Sequence, residues 1–313
     1  MDREGLGNYH TYSGQLAKDL PRIGAHKGNL KEHLRARDAF VAFLTERLTE
    51  AHRTLRPGGF ALVWAYPKTS HWTAWALEEA GFEVRDVITH LFPTGMLRGT
   101  ARKDVPDELW GWDTTLAPGA EHWLLARKPP IGPLKTNYET WGTGGINVEA
   151  SRAPDGKLPK NTLVTHAADC DGVCSAACPV SVLGLWRDHD AFPQLRAVGL
   201  PKTSKDERFA YCPTCLQVSP NCDHDLVVHP TPKSQALMEW LVRLVCPPGG
   251  SVLDPFMGTG ATGVAAFSLG CQFVGVELDP HYMIIARHRL DGAPKVGPPD
   301  TRSLFDMAMD GDF

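Results

Sequence analysis

The stretch Val252-Leu253-Asp254-Pro255-Phe256-Met257-Gly258-Thr259-Gly260 constrains the fold more than any other in this chain. It stands between a strand-length run, Ser251–Leu253, and a helical pattern over 261–269. Glycines at such a turn let the backbone approach a ligand closely, and the helix start offers N–H groups without partners. Seventeen residues past Gly260, the strand Phe273–Val276 ends in Glu277. A carboxylate there can accept both hydroxyls of a ribose, so loop and acid make a nucleoside-binding crevice at a strand's carboxyl end. Gly258-Thr259-Gly260-Ala261-Thr262-Gly263 also fits the dinucleotide fingerprint of oxidoreductases, a weak signal alone. On spacing alone, a nicotinamide dinucleotide, another nucleoside cofactor and a turn that binds nothing all stay open.

Around this loop the chain alternates strands and helices. Phe40, Val41, Phe43, Leu44, Leu48, Ala51 and Leu55 recur at three and four, which predicts a helix beginning near residue 34. It ends at Arg56-Pro57-Gly58-Gly59. Strand 60–65, helix 71–80 and strand 83–92 follow, the βαβ signature of a parallel sheet. From about 93 to 225 the chain is rich in Pro, Gly, Asp and Cys, too long for a loop and better read as an inserted module. Regular alternation resumes after Pro230 with helix 233–245, strand 251–253, helix 261–269, strand 272–276 and helix 280–290. The tail from 291 is polar.

Composition is that of a globular protein, with 42% hydrophobic and 22% charged residues, and argues against disorder. The sequence contains no run long and apolar enough for a membrane span and no signal-peptide pattern, so a soluble cytoplasmic protein is the default expectation. A net charge of −4 weakens a nucleic-acid reading without excluding it, because enzymes on DNA can confine positive charge to one cleft.

Asp254-Pro255-Phe256 before the glycines resembles the Asp-Pro-Phe-x-Gly-x-Gly loop of DNA methyltransferases that act on exocyclic amino groups. His229-Pro230-Thr231-Pro232-Lys233 looks like the His-Pro-x-x-Lys segment that precedes this loop in their β-group. Leu55–Trp64, Thr69-Ser70-His71-Trp72, Glu121–Pro129 and Trp141–Asn147 are similar to further segments of the same group, including phage-type and orphan enzymes, so the likeness covers most of 40–290. The resemblance implies an α/β, Rossmann-like S-adenosylmethionine-dependent methyltransferase sheet interrupted by an irregular, Cys-rich recognition module. Its implied divisions are catalytic-half βα units at 1–92, a target-recognition insert at 93–228, the cofactor half at 229–291, and a polar tail at 292–313. It also implies a cofactor site of Asp254, Pro255, Phe256, Gly258, Gly260, Glu277, His229, Thr231 and Lys233. Lys233 as a cation and Thr231 as a donor would hold the cofactor's carboxylate. Trp64 and Tyr66 would line the pocket of a flipped base, unless Trp64 is simply a core residue. The expected reaction is methylation of adenine N6 or cytosine N4 in double-stranded DNA. An inactive homologue that binds only DNA or cofactor is the alternative, and a nicotinamide-dependent oxidoreductase a distant third.

One departure stands out. The family's catalytic Asp/Ser/Asn-Pro-Pro-aromatic motif holds the amino group of a flipped base. The three Pro-Pro pairs here, Pro129-Pro130, Pro247-Pro248 and Pro298-Pro299, follow Lys128, Cys246 and Gly297, and no aromatic follows them. The motif's expected place is upstream of residue 1. The resulting expectation is an N-terminal truncation that also removes a strand from the middle of the sheet. Partners left open are a separately encoded N-terminal piece and a second copy of the chain.

Six of eight cysteines fall between 170 and 222, and in a reducing compartment such clustering points to metal. Zinc takes four S or N ligands, usually offered as close pairs. Cys212-Pro213-Thr214-Cys215 is one such pair, and Cys174 with Cys178 could complete a four-cysteine structural site. His166, Cys170, Cys174 and Cys178 could make a site by themselves; Cys222 and His224 follow the second pair. Cys246 and Cys271 read as small core residues. The insert also carries scattered basic residues, among them Arg152, Lys157, Lys160 and Arg187, suited to phosphate contacts.

Overall fold

The computed structural model describes residues 30–92, 116, 119–152, 158–165, 198–200, 209–218, 222–229 and 233–295. Helix α1 (Leu30–Thr54) buries Ala36, Val41, Leu44 and Leu48 along one stripe. It ends at Thr54, and the turn that follows into β1 is made at Gly58, whose φ of +76° is left-handed. Lys128 Nζ donates to the carbonyls of His52 and Leu55, both at 2.8 Å. Carbonyls at a helix end have no donor within the helix, and a cation suits that negative end.

Strand β1 (Phe60–Ala65), helix α2 (Ser70–Glu79), strands β2 (Glu83–Leu91) and β3 (Ala120–Arg127), helix α3 (Leu134–Trp141), and strands β4 (Thr162–Thr165) and β5 (Val198–Leu200) follow. These five strands form one sheet in the order β1-β3-β2-β4-β5. Next come the short strands β6 (Ala210–Cys212), β7 (Gln217–Val218) and β8 (Val227–Val228), which form a separate sheet ordered β7-β6-β8. Helix α4 (Gln235–Val245), strand β9 (Ser251–Asp254), helix α5 (Ala261–Ser268), strand β10 (Gln272–Gly275) and helix α6 (Pro280–Asp291) complete the described chain. Strands β9 and β10 pair in parallel, Ser251 opposite Gln272 and Asp254 opposite Gly275.

The sheet is mixed, where the alternation of elements predicts a parallel one. β3 runs antiparallel to both β1 and β2 and lies between them. Phe92 N donates to Gly119 O at 3.0 Å, which continues the antiparallel pairing of β2 and β3 beyond the ends of both strands. The apolar piece Trp123–Ala126, which the composition assigns to the insert, is thus the innermost strand of the first half of the sheet. All four residues are buried, so the strand carries no apolar-polar alternation to announce it. β4 and β5 likewise come from within 93–228 and extend the sheet in parallel.

One core joins the five-stranded sheet and the β9–β10 pair. Ile88, Trp123 and Leu163 pack with Leu237, Leu241 and Leu244 of α4 and with Ala265 and Ala266 of α5. Leu62 of β1, Val252 of β9 and Phe273 of β10 rest against the same cluster. Yet β1 pairs only with β3, and β9 only with β10, among the described residues. Each therefore has one edge without a strand partner. Leu253, Val274 and Val276 are 42%, 59% and 53% exposed, so the face of β9–β10 away from the core is bare.

Candidate functional site

The turn between β9 and α5 is tied down at every step. Asp254 accepts from Phe256 N at 3.0 Å and from Thr262 Oγ1 at 2.5 Å, bridging the loop's start to the first turn of α5. Burial raises its pKa, opposed by the Thr262 hydroxyl and the Phe256 N–H. Gly258 and Gly260 have φ of +53° and +79°, a region that side chains disfavour. A Cβ on Gly258 would lie 3.1 Å from His229 Nε2. Arg289 of α6, itself buried, donates to Thr259 O at 2.9 Å and to Thr259 Oγ1 at 3.1 Å.

Glu277 closes the arrangement from the neighbouring strand end. Its Oε2 accepts from Gly258 N at 2.8 Å, and its Oε1 from Leu278 N at 2.9 Å and Asp279 N at 2.8 Å. An ionised carboxylate offers about four acceptor positions. Three serve the backbone here, which fixes the carboxylate's direction and leaves room for a further donor. Asp279 caps α6, accepting from His281 N at 2.8 Å. Phe256 is 54% exposed at the rim.

His229 follows β8, and its ring centre lies 4.9 Å from that of Tyr282, the two rings tilted at 55°. Burial lowers its pKa, against the pull of Glu277, which favours the neutral imidazole. Asp254, Pro255, Phe256, Gly258, Gly260, Glu277 and His229 are therefore gathered in one place. Thr231 lies outside the described residues.

Lys233 belongs to a second group. Its Nζ is 2.5 Å from Glu121 Oε2 and 4.5 Å from the centre of the Trp64 ring. Glu121 also accepts from Trp64 Nε1 at 2.6 Å, and its Oε1 meets His90 Nδ1 at 2.8 Å. His90 Nε2 lies 2.5 Å from Thr165 Oγ1. Burial alone would raise the Glu121 carboxyl, but the His90 hydrogen bond and the Lys233 ammonium outweigh it and hold it at about 2. Trp64, His90 and Thr165 stand at or near the carboxyl ends of β1, β2 and β4, the rim where open α/β sheets place their ligands. Trp64 is 44% and Tyr66 39% exposed, so neither is a core residue. His90 and Thr165 carry no sequence signal of this connection, nor does Arg289 of its bonds to Thr259. A lone carboxylate at the head of the apolar run Trp123–Ala126 was the nearest hint.

Among the described residues, the cysteine-rich stretch gathers one cluster of sulfur and nitrogen ligands. Cys212 and Cys215 come together with Cys222 and His224, with all four ligand atoms within 4.8 Å of one another. Cys215 N donates to Cys212 Sγ at 3.3 Å. His166, Cys170, Cys174 and Cys178 lie outside the described residues. Cys271 is buried, as its apolar surroundings imply, and Cys246 is partly so.

Comparison with known proteins gives this geometry a family. The family described as DNA methylase, of the N6/N4 kind, matches residues 23–288. The type II methyltransferase M2.DpnII of Streptococcus pneumoniae is 43% identical over 63 residues, 20% of this chain and 24% of that protein. The DNA adenine methyltransferase YhdJ of Escherichia coli K12 is 40% identical over 65 residues, 21% of this chain and 22% of that protein. The matched stretch thus spans about a quarter of these relatives. Among solved structures, M1.HpyAVI in complex with SAM superposes with a TM-score of 0.45 at 21% identity, covering 80% of this chain and 83% of that one. The cytosine-N4-specific PvuII DNA methyltransferase gives 0.48 at 15% identity, covering 88% and 76%. No helix among the described residues is long and apolar enough to cross a membrane.

Proposed function

Because the chain belongs to the N6/N4 DNA methylase family, we propose that it carries the cofactor-binding and target-recognition parts of an enzyme that methylates DNA. The donor is S-adenosylmethionine and the acceptor an exocyclic amino group, adenine N6 or cytosine N4, in double-stranded DNA. The observation that carries this reading is the closed circuit of Gly258, Glu277 and Asp254 around the β9–α5 turn.

The residues fit the cofactor. Glu277, its direction fixed by three backbone donors, is placed to accept from the ribose. Gly258 and Gly260 have no side chains to obstruct the methionine part, Thr259 between them is buried and bonded to Arg289, and exposed Phe256 offers an aromatic surface beside them. When bound, S-adenosylmethionine supplies an electrophilic methyl group. Trp64 and Tyr66, exposed at the end of β1, would flank a base taken out of the duplex. Lys233, held by Glu121, joins this rim to the cofactor half.

The sequence lacks a Pro-Pro-aromatic group to position the amino nitrogen. Two features suggest where it enters: the unpaired edges of β1 and β9 on a shared core, and the bare apolar face of Leu253, Val274 and Val276. In this reading a strand bearing the motif completes the sheet between β1 and β9, as part of a longer chain or as a separately encoded piece. A second copy of the chain would bring no such motif. The second reading, a homologue that binds without turning over, rests on the same missing motif.

Calorimetry with S-adenosylhomocysteine and with NAD tests the cofactor. Heat from the first and none from the second is expected; binding of NAD alone would overturn the assignment. A methylation assay on duplex DNA, with and without an added motif-bearing piece, separates the enzyme from the binding-only homologue.

A further inference from the structure

The function proposed above makes no use of Cys212, Cys215, Cys222 and His224, which are gathered within 4.8 Å of one another. β6 ends in Cys212, and a turn through Pro213 and Thr214 presents Cys215. Leu216 then takes a φ of +56°, the only left-handed residue other than glycine among those described. Such a conformation is costly for a branched side chain and persists where surroundings impose it. The strands framing the turn have three, two and two residues. That is too little pairing to hold a sheet together by hydrogen bonds. Tyr211 packs with Tyr282 and Ile285 of α6, with Val218 and Val227 beside it. This supplies one anchor, on the side away from the thiols.

We propose that Cys212, Cys215, Cys222 and His224 Nδ1 bind one structural zinc ion as a tetrahedral three-sulfur, one-nitrogen site. Tetrahedral zinc, with Zn–S near 2.3 Å and Zn–N near 2.0 Å, sets sulfur and nitrogen ligands about 3.6 Å apart. His224 Nδ1 lies 3.7 Å from Cys212 Sγ and 3.2 Å from Cys215 Sγ, on either side of that spacing. The N–H of Cys215 pointing at Cys212 Sγ is the contact a thiolate ligand needs from its outer shell. Four ligands leave no open coordination position, so the ion is structural rather than catalytic. Its effect reaches further by geometry. β8 runs directly into His229, which rests on Tyr282 and against Gly258, so a metal that fixes β6, β7 and β8 also fixes the wall of the glycine turn.

Metal analysis of the full chain, purified in reductant without a polyhistidine tag, should find about one zinc per chain. Cys222→Ala and His224→Ala should each fall below about 0.3, whereas His224→Cys, which restores a ligand, should keep the ion. Cobalt(II) in place of zinc should give the visible absorption of a tetrahedral thiolate site in the wild type and in His224→Cys, and not in Cys222→Ala. Less than about 0.3 zinc in the wild type would overturn the proposal. So would full zinc in both Cys222→Ala and His224→Ala, with loss only on replacing Cys174 and Cys178.

Discussion

Lys233 and Glu121 are 112 residues apart in sequence and 2.5 Å apart in space. The lysine stands just before α4, in the half of the molecule with the glycine turn. The glutamate stands at the start of β3, between β1 and β2. Side chains thus tie together two sheets that share no hydrogen-bonded strand pair among the described residues. With His90 and Trp64 also on Glu121, the carboxylate is the hub of that seam.

Glu121→Gln should therefore destabilise the protein by about 2 kcal/mol in urea unfolding, because the half-buried Lys233 is left without its charge partner and His90 without a carboxylate. Lys233→Met should cost less, since Glu121 keeps its bonds to His90 and Trp64. Equal losses would mean that the two residues act only as a pair.

The same carboxylate sets an acid limit. Its folded pKa is about 2, depressed from an ordinary 4.5. A depressed carboxylate stabilises the fold above its unfolded pKa, and that contribution is lost as pH falls toward the folded value. The stability gap between wild type and Glu121→Gln should be constant above about pH 5 and should narrow progressively between pH 4.5 and 2. A gap that widened on acidification would contradict the assignment.

At the glycine turn, Gly258→Ala meets two obstacles, a left-handed φ and the ring of His229. It should lower stability by about 1–2 kcal/mol and S-adenosylhomocysteine affinity at least tenfold. Phe256→Ala should separate these effects. Phe256 is mostly exposed, so stability should stay within about 0.5 kcal/mol while affinity falls. Thermal melting and calorimetry on both variants make the comparison.

Stripping the proposed zinc with a chelator should weaken S-adenosylhomocysteine binding several-fold, through His229 and the Gly258 turn. Re-addition of zinc should restore it. An unchanged affinity in metal-free protein would show that the β6–β8 sheet and the cofactor site are independent.

On duplex DNA the 313 residues alone should give no methylation above background. Addition or fusion of a strand carrying Asp/Ser/Asn-Pro-Pro-aromatic should raise it well above background. Full turnover without it would mean that another group holds the target amine.

The loop Asp254–Gly260, its acid Glu277 and the helices and strands of 229–291 were legible in the sequence, because they depend on local spacing. Glycines mark left-handed turns, and apolar positions recur with the period of the element they belong to. The strand order of the five-stranded sheet was not legible. β3 is buried on both faces over Trp123–Ala126 and pairs with β2 across the intervening residues 92–119, so neither periodicity nor neighbours in sequence reveal it. The proposed metal ligands show the same division. Spacing marked Cys212 and Cys215 as a pair, but only folding could bring Cys222 and His224 to them. Likewise, the sequence marks Lys233 as a cation beside the glycine turn but does not name Glu121 as its partner. What the sequence determined alone was the glycine turn, a matter of backbone conformation over a few residues. Which distant side chains share a buried charge was decided by tertiary structure, because only the packing of two sheets brings Glu121 and Lys233 together across 112 positions.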